Sequence, residues 1–211
     1  LGSGYKIAMR DLEIRGAGNL LGAEQHGHIA AVGFEMYCRL LEDAVAELKG
    51  QPKAVEAPPM VIDLPVDAFM PEGYVPDSRQ KIEVYKKINA VGSIEQAAQL
   101  TKELADRFGQ PPSPVENLLT IAALKVLAAE LGVTSMTSER TEVVVRFSEG
   151  IRHSNTNVIR IARPFRGRVT LGAGRTQNIR IRTQGLSEKE LLNIMVYMLT
   201  EMSQANTTIS E

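Results

Sequence analysis

The most specific pattern in the chain joins mixed charges to closely spaced glycines near its start. Opposite charges on a helix commonly pair with each other across one turn. Glycines directly after them permit close approach of the backbone and a hinge-like change of shape. Such a segment is typical of a part that moves against a charged partner. The residues that carry the pattern are Arg10, Asp11, Glu13, Arg15, Gly16, Gly18, Gly22, Gln25 and Gly27.

The same glycines do not match a nucleotide-binding loop. The dinucleotide-binding fingerprint needs a strand before its first glycine and a third glycine soon after the second. Here Gly22 comes too late after Gly18, and no clear strand precedes Gly16. The glycine-rich loop that cradles ATP phosphates occurs nowhere in the chain. We therefore expect no cofactor and no ATP hydrolysis in this chain by itself, and a nucleotide-binding enzyme is the third alternative.

Histidine and cysteine do not provide a metal-binding or catalytic pattern. His26 and His28 flank a glycine, but Cys38 lies well along the next helical segment. His153 has no acid or thiol at the spacing of metal ligands. Cys38 also has no nearby histidine that would make it a nucleophile. We expect no metal site and no hydrolase arrangement.

Length and composition indicate one core and a smaller appendage. The chain has 211 residues, of which 44% are hydrophobic and 23% charged. Its formal net charge of -1 provides no overall attraction for nucleic acid, so contact with DNA must come from local patches.

The single cysteine fits a reducing compartment, and no apolar run approaches the roughly 20 residues that cross a bilayer. This predicts a cytoplasmic protein without membrane contact. Because the chain begins at Leu1 and not at Met, we also expect it to be part of a longer protein.

Proline content and hydrophobic spacing divide the chain into two units. Apolar residues recur at helical spacing from Phe34 to Leu48, which predicts an amphipathic helix in a first unit of residues 1–50. Residues 51–59 contain three prolines and little that could pack, which predicts an exposed linker. Residues 60–211 form the second unit. Its first segment, 60–69, alternates like a strand, and Pro65 favours an edge position because it cannot donate in a central ladder.

The second unit is predicted to be α+β, with a small antiparallel or mixed sheet and about four packed helices. Strands are predicted from β-branched runs at 141–147 and 178–182, with a weaker strand at 168–171. The helices are predicted near 78–91, 94–108, 114–131 and 188–203. Their predicted caps are Asp77, Ser93, Ser113 and Ser187, and left-handed residues after helix ends are predicted at Gly92, Gly109 and Gly132.

Residues 146–182 are rich in arginine: they contain nine arginines and a single acidic residue, Glu149. Such a cluster could neutralise nucleic-acid phosphates, although few aromatic residues are interleaved to stack on bases. It could equally bind an acidic protein surface, because guanidinium forks suit carboxylates. We favour an interdomain or partner surface, and an independent nucleic-acid-binding module that uses the arginine-rich strands is the main alternative. The residues assigned to the surface are Arg160, Arg163, Arg166 and Arg168.

Both units resemble known protein families. Residues 10–22, with Gln25 and Gly27, closely resemble the translocation motif shared by the DNA translocase RecG and the transcription-repair coupling factors. RecG lacks a long C-terminal extension, whereas the second unit is similar to the C-terminal domain of the coupling factors. One departure is His26, where the family more often has Ser. The segments that carry the second resemblance are 63–68, 74–77, 81–88 and 106–109.

The resemblance implies part of an ATP-dependent motor of the superfamily 2 helicase type. In this family two RecA-like lobes use ATP and magnesium to move on double-stranded DNA. The translocation motif, at the end of the second lobe, is a helical hairpin that converts lobe closure into a push on the duplex, and Arg15 and Gln25 match its important residues. The intact protein is expected to displace stalled RNA polymerase and to recruit the repair protein UvrA. The domain from about residue 58 is expected to restrain the motor by docking on the UvrA-binding surface.

Overall fold

A computed structural model describes residues 60–172 and 176–207 of the chain. The translocation motif, the predicted helix of the first unit and the linker at 51–59 lie outside the described residues. Within them the chain forms a five-stranded sheet and five α-helices, so the predicted α+β class is confirmed. The elements are β1 (Val61–Asp63), α1 (Ser78–Asn89), α2 (Ile94–Phe108), α3 (Ser113–Glu130), β2 (Val133–Glu139), β3 (Glu142–Phe147), α4 (Asn155–Ala162), a 3₁₀ helix (Arg163–Phe165), β4 (Val169–Gly172), β5 (Asn178–Arg182) and α5 (Glu188–Thr207).

The sheet is mixed, with the strand order β1-β2-β3-β5-β4. β1 runs parallel to β2 at one edge, and the remaining neighbours are antiparallel. The edge position predicted for the first strand is confirmed. The strand is shorter than the predicted 60–69, because it ends before Pro65, which has no amide hydrogen for the ladder.

One face of the sheet packs against the helices, and the other carries mostly polar side chains, with Val144 buried among them. Val143, Val145 and Phe147 of β3 join the hydrophobic core, as do Ile179 and Ile181 of β5. These positions alternate along each strand, as expected when one face is buried. On the helical side, α3 packs against α2, α5 and β2. Its apolar residues surround the helix, which is typical of a helix buried between layers.

Three of the four predicted helix caps are present. Asp77 accepts hydrogen bonds from the backbone N–H groups of Arg79 and Gln80, at 3.0 and 2.9 Å. Ser93 accepts from the N–H of Gln96, and Ser187 accepts from the N–H of Glu190. The prediction for Ser113 is wrong. The cap position belongs to Pro112, which makes no side-chain cap bond, and Ser113 is the first residue of α3.

Two elements, β2 and α4, were not predicted. β2 has the sequence VTSMTSE, in which only Val133 and Met136 are buried, so it lacks an apolar alternation. α4 is short and faces the core with only Val158 and Ile161. Glycines with positive φ follow α2 and α3 as predicted, at Gly109 and Gly132, but Gly92 does not have positive φ.

Candidate protein-binding surface

The four predicted surface arginines lie along one short stretch between α4 and β4. Arg160 belongs to α4, Arg163 opens the 3₁₀ helix, Arg166 caps that helix, and Arg168 precedes β4. Arg160, Arg163 and Arg166 are exposed, whereas Arg168 is half-buried. The other predicted site residues, those of the translocation motif at 10–27, lie outside the part of the chain that the structure describes.

The turn after the 3₁₀ helix holds Arg166 in the left-handed region, with φ 47° and ψ 48°. Gly167 follows with φ 77°. The turn is closed by two backbone hydrogen bonds, from Arg166 N–H to the Arg163 carbonyl at 3.2 Å and from Arg168 N–H to the Phe165 carbonyl at 2.9 Å. A left-handed residue with a Cβ costs roughly 1–2 kcal/mol relative to glycine. An arginine therefore stands where glycine would be less strained.

Arg168 joins this turn to the end of β5. Its Nη1 donates to the carbonyl oxygens of Arg182 and Gln184, at 3.1 and 2.9 Å. The N–H of Arg182 donates in return to the Arg168 carbonyl at 3.0 Å. A guanidinium that donates to two backbone carbonyls orders the backbone around it, so Arg168 fixes the position of the turn relative to β5. Arg166 and Arg182 remain exposed.

An open cleft of about 530 Å³ lies between this turn and α5. Pro164, Phe165 and Ile194 provide its apolar lining, and its polar lining consists of Arg166, Arg168, Arg182 and Gln184. Phe165 makes an edge-to-face contact with Tyr197, with ring centroids 5.4 Å apart. Arg182 was not assigned to the surface from sequence. The pairing of β4 with β5 brings it beside Arg168, and that long-range register is not visible in the local pattern.

Two of the three arginines on the strands pair with acids among the described residues, whereas Arg182, the last residue of β5, does not. Arg146 bonds with Glu139 and also donates to the Thr137 hydroxyl at 2.8 Å. Arg180 pairs with Glu142 at 3.0 Å. Both acids precede the arginine-rich stretch in sequence and reach it through strand pairing. This neutralises part of the positive charge that a nucleic-acid-binding sheet would need.

Shifted pKa values mark helix ends and surface pairs. Hydrogen bonds from the backbone and then the side chain of Ser187 lower the pKa of Glu190, and the charge of Arg168 adds to the effect. Hydrogen bonds from Lys87 and Arg107 lower the pKa of Glu103. Burial raises the pKa of Tyr74, whose hydroxyl lies 3.2 Å from the Leu104 carbonyl. Each of these shifts has a local structural cause.

The described residues show neither a metal-binding cluster nor a membrane-crossing helix. No three His, Cys, Asp or Glu side chains among them converge as ligands. No helix in the same ranges is long and apolar enough to span a bilayer. His153 is buried, with its ring Nε2 3.0 Å from the Leu131 carbonyl and its ring edge-to-face with Phe147. Its role in the described part is packing, which the sequence pattern did not indicate.

Comparison with known proteins places the chain in a family. The family model described as the TRCF domain matches residues 64–158. The transcription-repair-coupling factor of Bacillus subtilis (strain 168) is 41% identical over 202 residues, which cover 94% of this chain and 17% of that protein. The chain belongs to the transcription-repair coupling factor family. The corresponding protein of Staphylococcus epidermidis (strain ATCC 12228) is 49% identical over 134 residues, or 63% of this chain and 12% of that protein. The family resemblance found in the sequence is thus confirmed.

The fold agrees with a solved coupling-factor structure. The crystal structure of the C-terminal domain of a transcription-repair coupling factor matches with a TM-score of 0.62 and 23% identity. The match covers 72% of this chain and 99% of the solved chain. The chain spans only 17% of the length of its Bacillus relative.

Proposed function

We propose that this chain supplies the translocation motif and the regulatory C-terminal domain of an ATP-dependent double-stranded DNA translocase. In the intact protein, ATP and magnesium would act in motor lobes, and the motor would displace stalled RNA polymerase. The domain at 60–211 would dock within the same protein on the surface that binds UvrA. Family membership supports the general role. The docking role is supported by the arginine surface.

The observation that carries the docking proposal is the unbalanced charge of that surface. Residues 151–182 contain eight arginines and no acid. Five of these arginines are exposed and form no ion pair with an acid among residues 60–172 and 176–207: Arg152, Arg160, Arg163, Arg166 and Arg182. A surface of this kind binds an acidic protein face through contacts that water and salt can replace. Docking through it would be reversible, as a regulatory contact between domains must be.

The main alternative is a nucleic-acid-binding module that uses the strands. Of the three arginines on those strands, Arg146 and Arg180 pair with acids, and Arg182 at the end of β5 is exposed without an acid pair among the described residues. The other exposed arginines of the stretch lie before α4, on α4, and in the 3₁₀ helix and turn after it. The structure therefore supports a protein-binding surface better than a phosphate-binding sheet. A nucleotide-binding enzyme has no support from the sequence, which lacks the phosphate-cradling loop.

The motor role of the translocation motif is tested by changing Arg15 and Gln25 to Ala separately in the intact protein. We expect ATP binding to persist and movement on DNA to fall, because these side chains would transmit lobe closure and not touch the nucleotide. Triplex displacement measured beside ATP turnover reports the two activities separately. Lys6→Ala, just before the motif, is the control. Normal displacement by both variants would exclude a transmission role.

The regulatory role is tested by removing the domain from Pro58 onward in the intact protein. We expect ATP turnover and UvrA affinity to rise together, because one docking contact would limit both. An unchanged UvrA affinity would show that the domain does not cover that surface.

A further inference from the structure

The cleft between the turn at Arg166 and α5 combines an apolar lining with a cationic rim. We infer that it binds a short acidic segment, anchored by one aromatic or aliphatic side chain, of the surface in the same protein on which the domain docks. This rests on the proposed protein-binding role of the arginine surface and names the chemistry that the surface recognises. The segment's apolar side chain would contact Phe165 and Ile194, and its carboxylates would pair with Arg166 and Arg182.

The charge of the rim selects carboxylates. Arg166 and Arg182 are exposed, and the described residues provide no acid that pairs with either. Glu190, an acid near Arg168, is held by the N–H and hydroxyl of Ser187, both within 2.8 Å. A guanidinium presents a planar fork of donors that fits a carboxylate with two parallel hydrogen bonds. An acidic segment therefore supplies the charge that the rim lacks.

The lining selects a single apolar side chain. Phe165 is half-buried, Ile194 is buried, and both line the cleft. Tyr197 supports Phe165 from the side and is 41% exposed. The volume of about 530 Å³ lies within the usual range of small binding sites. This open cleft has room for a large apolar side chain and the backbone beside it.

The cleft is held in shape before any partner binds. The three hydrogen bonds between Arg168 and the end of β5 fix the position of Arg182 relative to the turn. Arg166 also has a left-handed backbone conformation, which would cost less free energy with a glycine at that position. Strain of this kind occurs at binding sites and also in tight turns, as at Arg140, so it supports the site together with the cleft's lining and charge. A preformed site loses less conformational entropy on binding.

The same features disfavour single-stranded or duplex nucleic acid as the occupant. Binding to single strands uses rows of ring faces on which successive bases stack. Here Phe165 and Tyr197 are packed edge to face, and Phe165 is half-buried. Duplex binding uses an extended positive strip, but Arg146 and Arg180, on the strands next to this surface, are neutralised by Glu139 and Glu142.

The test uses the 211-residue chain and a short fluorescein-labelled peptide in which one phenylalanine lies between glutamates. We expect saturable binding by fluorescence anisotropy. Replacing the phenylalanine by serine, or the glutamates by glutamines, should weaken binding about tenfold, since each change removes one of the two recognised features. Arg182→Gln should weaken it by about the same factor.

The variant Arg166→Gly distinguishes an effect on peptide affinity from an effect on the stability of the fold. Glycine relieves the left-handed strain, so the urea midpoint should stay the same or rise while peptide affinity falls about tenfold. Arg140→Gly is the matched control, because Arg140 also has positive φ, at 55°, and is exposed in the turn between β2 and β3. It should change the midpoint in the same direction and leave peptide affinity unchanged.

Three results would overturn the inference. The first is equal binding of the peptides with phenylalanine and with serine. The second is an unchanged peptide affinity in Arg166→Gly. The third is displacement of the peptide by a DNA duplex whose own binding depends on Arg166 and Arg182. The last result would assign the cleft to nucleic acid. Failure here is distinguishable from failure of the regulatory role. If removal of the domain raises ATP turnover of the intact protein but the peptide does not bind, the restraint stands and the cleft chemistry fails.

Discussion

Asn117 joins three parts of the chain that are far apart in sequence. Its Nδ2 donates to the Asp67 carbonyl at 2.9 Å and to Glu188 Oε2 at 2.7 Å. Glu188 Oε1 accepts in turn from the Asp67 N–H at 3.1 Å. The side chain is buried, so its hydrogen bonds are made away from water. This network holds the segment after β1 against the start of α5.

Asn117→Ala should therefore destabilise the domain. We expect a loss of about 1–3 kcal/mol in the free energy of unfolding, because the Asp67 carbonyl and Glu188 lose a buried partner. Urea denaturation followed by circular dichroism measures the change. Gln99→Ala removes an exposed amide from α2 and should have little effect. Equal midpoints for the two variants would show that the network contributes nothing to stability.

For single residues, the sequence predicts a role only where the hydrogen-bond partners are close in sequence. The caps Asp77 and Ser187 bond within three residues, and both were found from their spacing. The partners of Asn117 lie 50 and 71 residues away, so no local pattern revealed them. Arg182 was left out of the predicted surface for the same reason. Its place beside Arg168 depends on strand pairing between distant segments.

The start of α5 makes the stability of that helix depend on pH. Ser187 and Glu190 exchange hydrogen bonds that satisfy free N–H groups of the first turn. Because these bonds lower the pKa of Glu190 below its usual value of 4.5, its charge stabilises the folded state above that pH. The contribution is lost as the pH falls through the lowered folded-state pKa.

Glu190→Gln isolates that charge, because Gln can still accept the bond from Ser187. We expect a lower urea midpoint than that of the unmodified chain at neutral pH and a smaller difference at about pH 3, where the carboxylate is increasingly protonated. Glu201→Gln, on the same helix, is the control. A difference between Glu190→Gln and the unmodified chain that does not shrink at low pH would contradict the assignment.

Elements were predicted well where periodicity and caps agreed. α2 has the predicted bounds, and α1 and α3 differ from theirs by one or two residues. β2 and α4 were missed because neither is long enough or apolar enough to show a period. Missing α4 affected the site directly. Arg160 and Arg163 had no predicted element, whereas Arg160 lies on α4 and Arg163 begins the 3₁₀ helix after it.

For the whole chain we expect no ATP hydrolysis, with or without duplex DNA. The sequence has no phosphate-cradling loop and no evident set of carboxylates for the magnesium of a nucleotide. A coupled-enzyme assay on the purified chain measures turnover. DNA-stimulated turnover that survives repurification to constant specific activity would refute this expectation.

The arginine surface is the feature on which the regulatory role depends. The most direct test is UvrA affinity of the intact protein with Arg163→Glu and Arg166→Glu together. A second double variant, Arg79→Glu with Arg140→Glu, changes net charge equally at exposed sites away from that surface. We expect the first pair to raise UvrA affinity, by a factor set by the lost docking free energy, and the second pair to leave it unchanged. Equal UvrA affinities for both pairs and the unmodified protein would contradict docking through this surface.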